Sequence, residues 1–175
     1  MEKVDVIVIG SGQGGVPLAT DLAGEGREVV IFERKAWGGS CTNFGCTPSK
    51  TFLASAHVAG QRRHAEERGV HLEAQVDFPA IMKRVKQIVG TSNEGIQSRL
   101  KDADVRMIEA EGAFTDVRTV SGGGVTVQAP LVIINTGKSP RILDIPGLSD
   151  SPYRPYDSFW GLEQLPPRSL VLGAG

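Results

Sequence analysis

Cys41 and Cys46 are the only cysteines in the chain, and they sit in Gly38-Gly-Ser-Cys41-Thr-Asn-Phe-Gly-Cys46-Thr-Pro-Ser-Lys50. A disulfide can span them if the backbone bends, and Gly45 supplies the freedom to bend. As a staple it would be poor. A loop this short is worth roughly 2 kcal/mol in the chain-entropy estimate, against nearly 5 for a long one. Redox cycling explains the pair better, with buried inert thiols as the alternative for any two cysteines. A zinc site needs two further ligands, which no suitable spacing provides. The pair opens a predicted helix, and a helix N-terminus lowers a thiol pKa, which favours Cys46 as thiolate. Pro48 suits the first helical turn. Lys50 adds positive charge one turn on, its alternative being a solvated surface lysine.

A second constellation binds rather than reacts. Gly10-Ser-Gly12-Gln-Gly14-Gly15 is GxGxxG, placed after an apolar strand and before a helix. In this pattern the first glycine permits the turn, the second lets backbone approach a pyrophosphate, and the third lets helix pack on strand. Free N–H groups and the positive helix end then face the anion. Ala19 keeps the helix–sheet contact small, and Glu33 ends the next strand where a carboxylate can accept hydrogen bonds from a ribose. The motif specifies a dinucleotide without saying which; a plain glycine-rich turn is the alternative.

The elements that must carry these groups follow from periodicity. An apolar run at 4–9, a helix at 16–23 and a strand at 28–33 form one βαβ unit. A helix is expected from Cys46 to Arg68, a loop over 69–77, and a second helix capped by Asp77 that continues through Leu100 despite Gly90 and Gly95. From Val105 the period switches to two, predicting strands at 105–114, 117–121 and 124–128, the last two joined at Gly122-Gly123. Leu131–Ile134 is another apolar strand, leading into Thr136-Gly137. After Pro166-Pro167, Ser169–Leu172 reads as a strand and Gly173-Ala-Gly175 as the opening of a second dinucleotide loop, so the chain reads as a fragment.

Composition excludes other classes. The 175 residues carry a net charge of −1, so no global field recruits nucleic acid or an acidic membrane. No apolar run approaches the ~18 residues that span a bilayer, Asp5 interrupts any signal-like stretch, and a reducing cytoplasm is the expected compartment. Glycine, at 22, well exceeds the dozen or so that ~7% usage gives. His57, His64 and His71 read as exposed surface residues rather than ligands or bases.

GGSCTNFGCTPSK, preceded by GSGQGG and Glu33, resembles the class I pyridine nucleotide–disulfide oxidoreductases, which include dihydrolipoamide dehydrogenase, glutathione reductase and mercuric reductase. The resemblance extends over the chain through Glu111-Gly-Ala-Phe114, Asn135-Thr-Gly137, Ser139-Pro140 and Ile145-Pro-Gly147. The threonine after each cysteine, with Thr51-Phe-Leu, looks closest to mercuric-reductase-like members.

The resemblance implies an α/β fold, a Rossmann-like FAD-binding domain with a parallel sheet and a small antiparallel β-meander. It assigns 1–150 to FAD binding and 151–175 to a connector and the first strand of a truncated NAD(P)-binding domain. FAD would lie on Gly10, Ser11, Gly12, Gly14 and Gly15, with Glu33 on the adenosine ribose. Gly39 would also bind the cofactor, Ser40 and Lys50 would meet the flavin portion, Ala113 the adenine region, and Thr136 and Gly137 the ribityl–pyrophosphate region. Cys46 would face the flavin ring as charge-transfer thiol and Cys41 would exchange with substrate. Asn135 stands where alanine is usual in the family. NAD(P)H would reduce FAD, reduced flavin the disulfide, and the dithiol a substrate disulfide or Hg(II), in a homodimer with a nicotinamide domain and a catalytic histidine from the partner subunit. The 175 residues alone are expected to turn over nothing and to leave apolar edges open to self-association. A non-catalytic dinucleotide-binding module and an NAD-dependent Rossmann dehydrogenase are the alternatives; the latter leaves both cysteines unexplained.

Overall fold

Alternate residues of two strands, β2 (Val6–Ile9) and β3 (Val29–Phe32), enter two different cores, and this alternation builds the layers. The computed structural model describes residues 1–173, and in it every residue of both strands is buried. Val6, Val8, Val29 and Ile31 pack with Val16 and Ala19 of α1 (Gly15–Gly24), and with Leu100 of α4 (Phe78–Asp102). Ile7, Ile9, Val30 and Phe32 pack on the other side with Val120 of β6 (Thr119–Gly122) and Val127 of β7 (Val125–Gln128). A strand buried on both faces belongs in a parallel sheet covered on both sides.

That sheet has the order β4-β3-β2-β8, all parallel, with β4 at Arg106–Ile108 and β8 at Leu131–Ile134. The second sheet runs β1-β7-β6-β5, with β1 at Glu2–Lys3 and β5 at Ala113–Asp116. Its β5–β6 and β6–β7 pairs are antiparallel, the expected meander, while β1 joins β7 in parallel. Chain order leaves β2 at the switch point: β3 lies on one side of it and the much later β8 on the other. In open α/β sheets ligands sit outside the strand ends at such a crevice.

Helix α4 begins where Asp77 accepts a hydrogen bond from the Ala80 N–H at 3.0 Å. It runs unbroken through Gly90 and Gly95 because burial of Phe78, Met82, Val85 and Leu100 outweighs the ~1 kcal/mol that each glycine costs. The cysteine-bearing segment forms α2 (Gly39–Asn43), which periodicity did not predict, followed by α3 (Cys46–Glu66). Only Pro48 and Thr51 of α3 are buried.

Three expectations need correction. The strand predicted over 105–114 divides into β4 and β5, because the chain leaves one sheet for the other past Phe32; a Cβ on Gly112 would lie 3.0 Å from the Phe32 ring. The β6–β7 turn falls on Gly123 and Gly124, with φ of 59° and 77°, rather than on Gly122 and Gly123. Gly122 stays in the ladder opposite Val125, leaving two residues of positive φ as tight hairpin turns require. Residues 169–172 form no strand: Leu170 and Val171 are exposed, and no described strand lies beside them to take their backbone hydrogen bonds. Of the glycine pattern that follows, Ala174 and Gly175 lie outside the described residues. Among the described residues no helix is long and apolar enough to cross a membrane.

Candidate functional site

The carboxyl ends of β2 and β8 open into a cavity of about 690 Å³. Gly10, Gly12 and Gly14 line it from one side, and Thr136 and Gly137 from the other. Gly10 has φ of 100°, and a Cβ there would run into the Asn135 carbonyl. Gly12 receives hydrogen bonds on its carbonyl from the N–H groups of Gly15 at 3.0 Å and Val16 at 3.2 Å, which starts α1. The first turn of α1 has no free donor, its N–H groups being bonded to the Gly12 and Gly14 carbonyls or missing at Pro17, whereas the Gly12, Gln13 and Gly14 N–H groups of the loop stay available to an anion. Gly15 is buried against the Gly10 carbonyl, where any Cβ would clash.

Ser11 is fully buried and ties three segments together. Its N–H and hydroxyl both donate to Glu33 Oε2, at 3.0 and 2.6 Å, and its Oγ accepts the Gly38 N–H at 3.0 Å. The Lys35 N–H donates to Glu33 Oε1 at 2.9 Å. Burial pushes the Glu33 carboxyl up, but donors from the Ser11 hydroxyl and the Lys35, Ser11 and Ala36 N–H groups outweigh it and hold the pKa below the ordinary carboxylate value. Glu33 therefore lines the cavity as a charged acceptor.

Gly39, with φ of 65°, brings the cysteine segment onto the glycine loop; a Cβ there would lie 2.6 Å from the Gly12 Cα. Ser40 and Cys41 then line the same cavity. Cys41 and Cys46 form a disulfide with Cα atoms 4.8 Å apart. Between them, the Phe44 and Gly45 N–H groups both donate to the Ser40 carbonyl at 2.8 Å, closing the turn. Asn43 fastens α2 by donating to the Trp37 and Gly39 carbonyls, and accepts from Asn93 of α4.

Most of the predicted residues thus gather at one crevice, with Ser11 and Gly15 buried beneath the loop rather than lining it and three others displaced. Lys50 is exposed on α3 and does not line the cavity; Ala113 lies just past Gly112, which does; and Cys46 is exposed at the head of α3 while its bonded partner Cys41 supplies the lining. His57, His64 and His71 are exposed, as expected. Sequence reasoning noted Asn135 as a departure from the family pattern but gave it no role. Its Nδ2 donates to the Gly10 carbonyl at 3.2 Å, and its amide lies 3.1 Å from the Cβ positions of both Gly12 and Gly14. A polar residue directly after an apolar strand was the available signal. Tyr156 and Asp157 also line the cavity, unannounced by any motif.

Comparison with known proteins agrees with this geometry. The profile of the family described as "Pyridine nucleotide-disulphide oxidoreductase" matches residues 4–175. Among curated relatives, a protein named dihydrolipoyl dehydrogenase from Chlamydia muridarum is 30% identical over 99% of this chain and 39% of its own length. One of the same name from Chlorobaculum parvum is 33% identical over 99% of this chain and 38% of its own. A third, from Halobacterium salinarum, is 31% identical over 98% and 38%. The chain therefore spans well under half the length of these relatives.

Proposed function

The chain belongs to the pyridine nucleotide-disulphide oxidoreductase family, and from that premise we propose that its cavity holds FAD and that Cys41 and Cys46 cycle between disulfide and dithiol in an NAD(P)H-dependent reduction. One observation carries the reading: a single cavity is lined by the Gly10–Gly14 loop, Glu33 and Cys41. A diphosphate fits the loop because glycine leaves its N–H face clear. A ribose fits Glu33, whose charged carboxylate lines the cavity. Residues 1–150 carry this binding role in the proposal.

Bound FAD would supply two-electron chemistry between a nicotinamide and the sulfur pair. The chain's own residues do the rest. The loop N–H groups and the α1 N-terminus neutralise the diphosphate, Glu33 orients the adenosine, and Thr136 and Gly137 close the crevice from β8. Opening the Cys41–Cys46 bond takes up two electrons and two protons and leaves two thiols. Thiol exchange then returns those electrons to a substrate disulfide, at a rate set by thiolate fraction and leaving group. We assign exchange to Cys41 and the flavin-facing role to Cys46 on the family resemblance alone, since in the closed disulfide it is Cys41 that lines the cavity and Cys46 that is exposed. Single Cys→Ser variants distinguish them, since only loss of the flavin-facing sulfur abolishes a long-wavelength band on mild reduction.

Of the acceptors that the sequence leaves open, we propose a small organic disulfide rather than Hg(II). The relatives' names favour it. Electron delivery from NAD(P)H and a homodimeric assembly are proposed for the family rather than from any residue in this chain. The direct test is a visible spectrum of the purified protein after incubation with FAD. Flavin absorption that survives gel filtration is expected; a colourless protein with unreactive cysteines overturns the proposal.

A further inference from the structure

The turn between the two cysteines carries a carbonyl that its own helix cannot satisfy. One residue before the α3 N-cap, the Phe44 carbonyl lies outside the helix, whose first bond runs from the Ser49 N–H to the Gly45 carbonyl, and four residues on Pro48 has no N–H to extend the ladder back to it. The indole of Trp160, 116 residues later, donates to that oxygen at 2.7 Å. Aromatic packing fixes the indole there. The rings of Trp160 and Phe159 lie 5.1 Å apart, and each meets Phe52 of α3 edge-on, at 6.2 and 5.6 Å. Phe52 in turn meets buried Phe78 at the start of α4 at 6.3 Å. A short 3₁₀ turn (Phe159–Gly161) thus docks behind the disulfide and holds the mid-point of its loop.

We propose that Trp160 is a positioning residue for the redox pair, a clamp whose indole N–H favours the disulfide over the dithiol. The inference deepens the proposed function and rests on Cys41 and Cys46 cycling. Its physical basis is reciprocal coupling. With the bridge closed, the Cα atoms are held 4.8 Å apart and the Ser40 carbonyl takes both the Phe44 and Gly45 N–H groups, so the Phe44 carbonyl has one orientation to offer. Opening the bridge releases this turn, and the hydrogen bond loses its fixed acceptor. Whatever the disulfide contributes to the hydrogen bond, the hydrogen bond returns to the disulfide.

Trp160→Phe keeps an aromatic ring in the cluster and deletes only the donor. Wild type and variant are equilibrated with dithiothreitol redox buffers, in which the small dithiol is oxidised to its cyclic disulfide as the protein bridge opens to two thiols. The thiol fraction is read by maleimide mass shift. The expected result is an equilibrium constant for bridge formation about fivefold lower, the factor that one neutral hydrogen bond is worth, or ~20 mV at 29.6 mV per tenfold for a two-electron couple. Trp37→Phe removes the other indole, which donates to Glu109 instead, and is expected to leave the potential unchanged. An unshifted potential in folded Trp160→Phe overturns the clamp, whatever happens to its melting temperature. Should that variant not fold, the wild-type indole N–H resonance of Trp160 decides: it moves on reduction if the hydrogen bond follows the bridge, and a stationary resonance overturns the clamp. A wild-type pair that never interconverts overturns the redox reading itself, whereas one that cycles indifferently to the substitution sinks the clamp alone.

Discussion

Substituting Gly10 and Gly12 by alanine, one at a time, separates what the glycine loop does for the fold from what it does for a ligand. Gly10 has φ of 100°, and its Cβ would overlap the Asn135 backbone carbonyl, which β8 holds in place. The left-handed conformation costs about 1–2 kcal/mol and forced overlap about 1–3 kcal/mol more. At ~2–4 °C per kcal/mol for a chain of this size, a midpoint of ~3.5 kcal/mol lowers the melting temperature by roughly 7–14 °C. Gly12 differs. Its φ is not in the left-handed region, and its Cβ would meet only the Asn135 side-chain amide at 3.1 Å, which can give by a few tenths of an ångström. The apo protein is expected to lose less than about 1 kcal/mol, or ~4 °C. The same methyl, however, stands between the loop N–H groups and an approaching diphosphate. Losing one charge-assisted hydrogen bond of about 1.5–3 kcal/mol weakens binding roughly 10- to 150-fold. The assays are thermal unfolding followed by circular dichroism and an FAD titration followed by flavin fluorescence. Undiminished FAD affinity in well-folded Gly12→Ala would mean that no diphosphate rests on this loop, and the cradle argument would fail.

Further outcomes follow from the same contacts. Because the folded-state pKa of Glu33 is held low, the stability it contributes is complete above its unfolded value of about 4.3 and is lost as pH falls through the lower folded value. Glu33→Gln is therefore expected to flatten the acid side of a melting-temperature profile below about pH 4.3; equal steepness in wild type and variant would contradict the assigned hydrogen bonds. Asn135→Ala removes the amide braced beneath the loop and is expected to cost about 1 kcal/mol of stability, while leaving the Cys41–Cys46 potential where it was; a potential shift would show that the loop and the disulfide are coupled through β8. The 175-residue chain by itself is expected not to oxidise NADPH, checked by absorbance at the nicotinamide band with FAD and a small disulfide present; measurable turnover would refute it.

The residues that could do chemistry were legible because each signal is local. Five apolar residues before Gly10, a glycine at every strained position of the turn, and a carboxylate at the end of the next strand all constrain their own neighbourhood, and the structure assembled them as read. The cysteine pair was legible for the same reason, since its turn is closed by Ser40, Phe44 and Gly45 within the motif. Where the period was read without knowledge of partners, boundaries failed. Over 105–114 burial does not alternate, because the segment divides between two sheets and β5 is exposed throughout. The apolar run at 169–172 has the composition of a strand and no described neighbour to pair with.

Sequence alone determined the strand and helix patterns, the loop that can accept a diphosphate, and the pair of sulfurs that can be oxidised. Only the tertiary structure decided that the loop, Glu33 and Cys41 face one cavity. Asn135 reaches the Gly10 carbonyl across 125 residues because β8 pairs beside β2, and Gly39 presses on Gly12 because Ser11 receives the Gly38 N–H. Trp160 completes the cysteine turn because Phe52 and Phe159 hold its ring there. Periodicity records how a segment divides its faces between water and core. Which distant segment meets that face is settled by the shared burial of many side chains at once, a quantity no local window contains.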